Sequence, residues 1–290
     1  MTVKNLHQSD VDSYSRYVGS LSDILKVKAG LNNTTHVASV RYDDDDKSQN
    51  ILSVVKAFNY SSHLWANEAV AWILANSIGV SVPTHAAVLI VDASQISADH
   101  GPELVNFAKG QTEPIILWCT AVVTPGQKIV SVMGVNWHAA LLDKVNGRKL
   151  LAFDEFIGNV DRHEGNIVYL MTSGGIPVAI DNERMGYAQD WTKSSILHMD
   201  TIQDLYSPLL KTLKSGIASA DLARSKKFKS YATDIKSISS GHEIVLTSSS
   251  SVITDIIANN FSHSQGAANQ LLSYLGERVK SDAIEARYRS

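Results

Sequence analysis

Asp161, Asn166 and Asp181 are the residues of this 290-residue chain whose types and spacing could do chemistry together. The first two lie in Phe153-Asp-Glu-Phe-Ile-Gly-Asn-Val-Asp161-Arg-His-Glu-Gly-Asn166-Ile-Val-Tyr169, and the third in Ile180-Asp181-Asn182. An Asp, an Asn five residues on and a second Asp beyond a short strand-turn-strand suit phosphoryl transfer from ATP. One carboxylate takes or orients the acceptor hydroxyl, while an amide oxygen and the second carboxylate hold Mg²⁺ on the phosphates. The 15 residues from Asn166 to Asp181 admit a β-hairpin that returns Asp181 to the metal held by Asn166. Mg²⁺ favours such sparse oxygen ligation, with phosphate and water completing an octahedron. The competing reading is a polar turn whose side chains cap local backbone.

That chemistry calls for a Lys, a Glu and a phosphate-covering loop upstream. Lys56 sits in the apolar strand pattern Val54-Val-Lys56-Ala-Phe58, and Glu68 follows in Ala66-Asn-Glu68-Ala-Val70, early in a helical pattern. A strand Lys held by a Glu of the next helix is how kinases steady the α/β-phosphates. Taken singly, Lys56 could face solvent from a half-exposed strand, and Glu68 could be a helix N-terminal acid. Gly30-Leu-Asn32-Asn-Thr34-Thr35 precedes the strands. Gly30 permits tight backbone geometry, and Asn32, Thr34 and Thr35 offer donors to phosphate oxygens. The segment is neither a Walker A loop nor Gly-x-Gly-x-x-Gly, and a plain hairpin turn competes with the phosphate role. His163 joins Asp161 as a candidate catalytic residue, either as a base or as a brace of the loop. Arg162 could bind phosphate or acceptor, or pair with a nearby acid. A zincin reading of His163-Glu164 fails for want of a second His at helical spacing.

Composition narrows the class. With 44% hydrophobic and 19% charged residues, the chain is long enough for one large or two small cores. A formal net charge of −3 gives no support for broad nucleic-acid binding. Cys119 is the single cysteine, which rules out an intramolecular disulfide, and its apolar setting suits a buried small residue. The N-terminus lacks the apolar core of a signal peptide, and no apolar run approaches the ~20 residues of a membrane span. A cytoplasmic protein without membrane attachment is expected.

The elements that must position these residues follow from periodicity. A helical pattern runs over Tyr14–Leu25. Strands are expected at His36–Tyr42 and Ile51–Phe58, flanking a charged tip at Asp43–Asn50, and a helix at His63–Ile78 that stops before Gly79 and Pro83. Further strands fall at Ala86–Val91 and Pro114–Val123, with a loop and short helix between them. Beyond the crossing at Thr124-Pro-Gly-Gln, helices are expected at Trp137–Val145 and Leu150–Gly158, then a hairpin of Ile167–Met171 with Pro177–Ile180. From Ser194 the chain reads as mainly helical, with Ser237–Ser251 as a loop carrying a strand-like piece and Leu271–Arg287 as a closing amphipathic helix. The expectation is an α+β, two-lobed protein-kinase-like fold. Residues 1–123 would form a small antiparallel β lobe with one helix, and residues 124–290 a larger, mainly helical lobe, with ATP at their junction.

Asp161-Arg-His-Glu-Gly-Asn166 resembles the catalytic loop of HipA-like kinases, and is similar to the Asp-Arg-His-x-x-Asn loop of phosphatidylinositol kinases. Ala29-Gly-Leu-Asn-Asn-Thr-Thr35 resembles the HipA-like phosphate loop, Val54-Val-Lys56 the lysine strand, and Asn67-Glu68 through Pro83 the glutamate helix and its exit. The likeness spans roughly residues 26 to 187. It implies a serine/threonine kinase using ATP and Mg²⁺, with Asp161 as catalytic base, Asn166 and Asp181 as metal ligands, and Lys56 with Glu68 as the ATP anchor. Adenine would lie around Cys119 to Thr124. The implied partners are a protein substrate and, since many such kinases are toxins, an antitoxin or other regulatory protein. Asp181 departs from the protein-kinase pattern in being followed by Asn-Glu rather than Phe-Gly. Thr34 and Thr35 stand where some relatives are autophosphorylated. Two rivals are a lipid kinase, disfavoured because Arg184 is the only cation in Asn182–Trp191, and a nucleotide-binding pseudokinase, disfavoured because the key positions are intact.

Overall fold

A computed structural model describes residues 6–9, 13–20, 34–42, 49–171, 175–187, 207–260 and 264–288. By internal contacts the chain forms two units, Met1–Trp65 with Pro83–Val123, and Ala66–Val82 with Thr124–Ser290.

The first unit is built on six strands: β1 (Leu6–Ser9), β2 (Tyr14–Ser20), β3 (His36–Tyr42), β4 (Gln49–Asn59), β5 (Ala86–Val91) and β6 (Ile115–Ala121), in the order β1-β5-β6-β4-β3-β2. The β3–β4 hairpin sets His36 opposite Val55, and β4 runs antiparallel to β6 with Lys56 opposite Trp118. Strand alternation then sends Val55 and Ala57 into a core with Ala38, Val40, Tyr42, Ala87, Leu89, Leu117 and Cys119. One short helix, α2 (Pro102–Ala108), adds Leu104 and Phe107 to this face. Burial on both faces accounts for the nearly continuous apolar runs of β5 and β6.

Two features of the sheet differ from expectation. The edge strand β1 pairs parallel with β5, so the sheet is mixed there rather than wholly antiparallel. Of the segment expected as a helix over Tyr14–Leu25, Tyr14–Ser20 is strand, and the rest lies outside the described residues. Register shifts between Tyr14 and Arg16 and between Tyr17 and Gly19 interrupt the two-residue alternation of β2. Such bulges leave Tyr14, Tyr17 and Val18 at spacings that imitate a helix.

The second unit begins with α1 (Leu64–Ser77), which joins it from Ala66 onward. Apart from Asn67 and Glu68 this helix is apolar over Trp65 to Ala75, and it is buried throughout that span, so it is a core helix. It ends where expected: Gly79 has φ 71°, and Val80 N donates to Ala75 O, a Schellman closure. Next come α3 (Ile129–Met133), α4 (Trp137–Leu142) and α5 (Val145–Ile157). A three-stranded sheet follows the order β7 (Gly126–Lys128), β8 (Ile167–Leu170), β9 (Ile176–Ala179). The remaining helices among the described residues are α6 (Pro208–Ile217), α7 (Leu222–Ser239), α8 (His242–Asn260), α9 (Ser264–Val279) and α10 (Ser281–Tyr288). Ser207 and Asp221 cap α6 and α7 through their side-chain oxygens.

The segment Ser237–Ser251, expected as a loop, instead closes α7 and, after a turn at Ser240-Gly241, forms the first half of α8. Its hydroxyls turn back on the helix, Thr247 to the Glu243 carbonyl at 2.9 Å and Ser250 to that of Thr247 at 2.8 Å. They are satisfied without leaving it, and Leu246, Ser249, Ile253 and Ile257 supply a buried stripe. The closing helix is two helices, α9 and α10, meeting at Lys280. No helix among the described residues is long and apolar enough to cross a membrane.

Candidate active site

The loop that carries Asp161 starts where α5 stops. Gly158 takes the left-handed conformation (φ 68°), and Asn159 N donates to Asp154 O at 2.8 Å. A Cβ on Gly158 would come within 2.1 Å of the Tyr274 hydroxyl, so only glycine permits this approach of α9. The backbone then tightens around the Asp161 carbonyl, which accepts from His163 N at 2.9 Å and from Asn166 Nδ2 at 2.7 Å. Asn159 Oδ1 accepts from Asp161 N at 3.0 Å. With its backbone held on both sides, Asp161 presents a carboxylate that is 39% exposed, 3.5 Å from Arg184 Nε.

His163 is exposed and caps the 3₁₀ turn Glu164–Asn166, its Nδ1 accepting from Gly165 N at 2.9 Å. Of its two expected roles, the brace is the one its contacts describe. Asn166 is buried, and with Nδ2 committed to Asp161 its amide oxygen remains for a cation.

Arg162 is completely buried and pairs with an acid, the second of its two expected readings. Its guanidinium donates to Asp154 Oδ1 at 2.8 Å, to the carbonyls of Asn166 and Ile180 at 2.9 and 3.0 Å, and to Asn182 Oδ1 at 2.7 Å. One side chain thereby ties the end of α5, the loop and the strand exit before Asp181 into a single unit. Burial works against the Asp154 carboxylate and raises its pKa, and the adjacent guanidinium opposes that shift.

The β8–β9 hairpin returns the chain as expected, Ile180 N donating to Asn166 O at 3.1 Å. Asp181 follows with φ 56°, a left-handed conformation that is uncommon for a residue with a side chain and concentrates at functional sites. Two neighbouring polar residues of α1 grip the next segment. Glu68 Oε2 accepts from Asn182 N at 2.8 Å, and Asn67 Nδ2 donates to the carbonyls of Glu183 and Met185 at 2.7 and 3.3 Å. Glu68, expected as the partner of Lys56 or as a helix N-terminal acid, holds the Asp181 segment by its backbone. Carboxylate oxygens of Glu68, Asp181 and Glu183 lie within 4.8 Å of one another. Hard oxygen donors at this spacing fit Mg²⁺, with Asp181 common to this set and to the expected pair with Asn166.

The other expected residues belong to the first unit. Lys56 is half-buried on the sheet face opposite Val55 and Ala57, the face of Phe58 and Trp118. Thr34 Oγ1 donates to Ala57 O at 3.3 Å, and Thr34 lines a cleft of about 470 Å³ with Pro102, Glu103, Asn106 and Phe107. That is the α2 side of the sheet, away from Lys56. Continuing the β3–β4 register by one residue would instead put Thr35 across from Lys56. Gly30 and Asn32 lie outside the described residues. Cys119 is buried in the core, where desolvation pushes its thiol pKa up, as suits an inert packing residue.

Asp154, Asn67 and Asn182 have no role expected from the sequence. Their partners lie between 8 and 118 residues away, and the local signal for Asp154 and Asn67 is polarity inside an otherwise apolar helix pattern, which Asn182, just past β9, lacks.

No protein-family model and no curated protein matches the sequence. The fold does match a solved one, the crystal structure of CtkA, a proinflammatory kinase of Helicobacter pylori. The TM-score is 0.51 at 14% identity, covering 98% of this chain and 96% of that one. Likeness at this identity speaks for the fold alone, and the α+β architecture of this chain is kinase-like.

Proposed function

We propose that the chain is a HipA-like kinase that transfers the γ-phosphate of ATP to a serine or threonine hydroxyl of a protein. The observation that carries this reading is the loop from Asp161 to Asn166. Its backbone is fixed by the buried Arg162, and it offers one exposed carboxylate next to an amide oxygen, tied by the Ile180 hydrogen bond to the Asp181 segment.

Mg²⁺-ATP, when bound, supplies the transferable phosphoryl group and neutralises its charge. Asp161 accepts the acceptor hydroxyl's proton or orients its oxygen. Asn166 and Asp181 would hold the metal, with the Glu68 and Glu183 carboxylates close enough to Asp181 to share in holding it. Lys56 steadies the nucleotide phosphates, with Gly30, Asn32 and Thr35 as their candidate backbone and hydroxyl donors. Catalysis in this scheme is mostly positioning and charge stabilisation, which suits a loop held by so many buried hydrogen bonds. The family resemblance further supports a cytoplasmic enzyme with a protein substrate, held in check by an antitoxin or regulatory protein.

The test is incubation of purified protein with γ-labelled ATP, Mg²⁺ and cell lysate, comparing wild type with Asp161→Asn. Label should pass to a protein band with wild type only. Equal labelling by Asp161→Asn would sink the assignment. Label in the lipid fraction would identify a lipid kinase, and nucleotide-dependent thermal stabilisation without any transfer would identify a pseudokinase.

A further inference from the structure

Glu155 neighbours Asp154 on the last turn of α5, is equally buried, and is turned toward the C-terminal helices. Its Oε2 lies 3.9 Å from Arg278 Nη2 of α9 and 3.9 Å from Arg287 Nε of α10. Arg278 Nε donates to the carbonyls of Glu155 and Phe156 at 2.7 and 3.2 Å. These are among the final carbonyls of α5, which have no partner within the helix. A guanidinium placed there satisfies them and meets the negative end of the helix dipole. Arg287 Nη2 donates to Arg278 O, which seats α10 on α9 at the same point.

The polar connection continues toward the loop. Ser207 N donates to Glu155 Oε1 at 3.0 Å, and Ser207 Oγ donates to Asp154 Oδ2 at 3.4 Å. Asp154 in turn holds Arg162, which holds the Asn166 and Ile180 carbonyls and Asn182. Two adjacent buried carboxylates thus serve opposite ends of one network, and packing of Tyr274 against Gly158 keeps α9 at the joint where α5 becomes the loop.

We propose that Arg278 is a positioning residue for the phosphoryl-transfer loop. It caps the end of α5 from α9, with Arg287 and Glu155 as its supports, so that the C-terminal helices set the placement of Asp161 and Asn166. The catalytic consequence rests on the kinase reading above; the consequence for the loop itself does not.

The experiment measures amide hydrogen exchange by mass spectrometry alongside kcat and KM for ATP. It uses the full-length wild type, Arg278→Met, Arg278→Lys and Arg287→Met, all below their unfolding temperatures. Arg278→Met should speed exchange in residues 158–167 selectively over strand β6. It should also lower kcat by about 100-fold, the cost of a small misplacement of catalytic groups, with KM for ATP little changed. Arg278→Lys, which can still reach the carbonyls, should recover much of both losses. Arg287→Met should show the same pattern more weakly, and it carries the test with Arg278→Lys if Arg278→Met does not fold. Unchanged exchange in residues 158–167, or exchange rising equally in β6, would overturn the proposal, as would an unchanged kcat in an active enzyme. A wild type without transferase activity would instead remove the kinase reading, and the exchange measurement would still decide whether Arg278 places the loop.

Discussion

Arg162 and Asp154 form a fully buried ion pair, the guanidinium giving the carboxylate hydrogen bonds of 2.8, 3.1 and 3.2 Å. Breaking such a pair from one side strands a charge in the interior and costs about 3–5 kcal/mol. Arg162→Met and Asp154→Leu should each lose stability on that scale in urea unfolding. The double variant should be more stable than the sum of the two losses implies. It should nevertheless remain inactive, because the Asn166 and Ile180 carbonyls and Asn182 have lost their common donor. Recovery of ATP turnover in the double variant would show that Arg162 serves stability alone.

Asp181 combines a left-handed backbone with a carboxylate in the oxygen cluster, and substitution can separate the two. Glycine adopts φ 56° without penalty, whereas alanine pays about 1 kcal/mol or more. Asp181→Gly should therefore unfold at a higher denaturant concentration than Asp181→Ala. Both should lose the Mg²⁺-dependent part of nucleotide stabilisation in a thermal-shift assay. If Mg²⁺ still enhances nucleotide stabilisation in both, Asp181 is not a metal ligand.

Gly158→Ala should destabilise by about 2 kcal/mol or more, adding left-handed strain to overpacking against the Tyr274 hydroxyl. Tyr274→Phe in the same chain removes the atom that a Cβ would meet and should return part of the loss. A Gly158→Ala protein with wild-type stability would mean that the joint between α5 and the loop yields freely, contrary to the packing.

His242 is buried against the ring of Phe156 at 4.8 Å. Burial, reinforced by the positive charge of Arg287, lowers its pKa from 6.5 to about 4. The folded protein thus binds the proton less readily than the unfolded chain. The stability contribution is complete above pH 6.5 and is lost as the pH falls toward 4, by up to about 1.4 kcal/mol per pH unit within that window. Unfolding free energies measured from pH 7.5 down to 4.5 should fall more steeply for wild type than for His242→Gln. Parallel curves would refute the assignment.

The sequence by itself determined the locally encoded parts of this protein. The Asp161–Asn166 spacing is one turn of backbone, and the return to Asp181 is one hairpin, so both are legible from neighbours in the chain. The same holds for α1, whose apolar run, Gly79 and Pro83 state where it is buried and where it stops. Tertiary structure decided the partners of buried polar groups. Nothing near Arg162 says whether it meets a phosphate or a carboxylate. Desolvation leaves it no choice once Asp154 is buried beside it. Glu68 reaches Asn182 across 114 residues, and Arg278 reaches Glu155 across 123, distances over which periodicity carries no information. The bulged β2 and the serine-rich α8 depart from their local patterns as well. In each, pairing or packing with another element, β3 for β2 and α9 for α8, outweighed a local preference worth a fraction of a kilocalorie per residue.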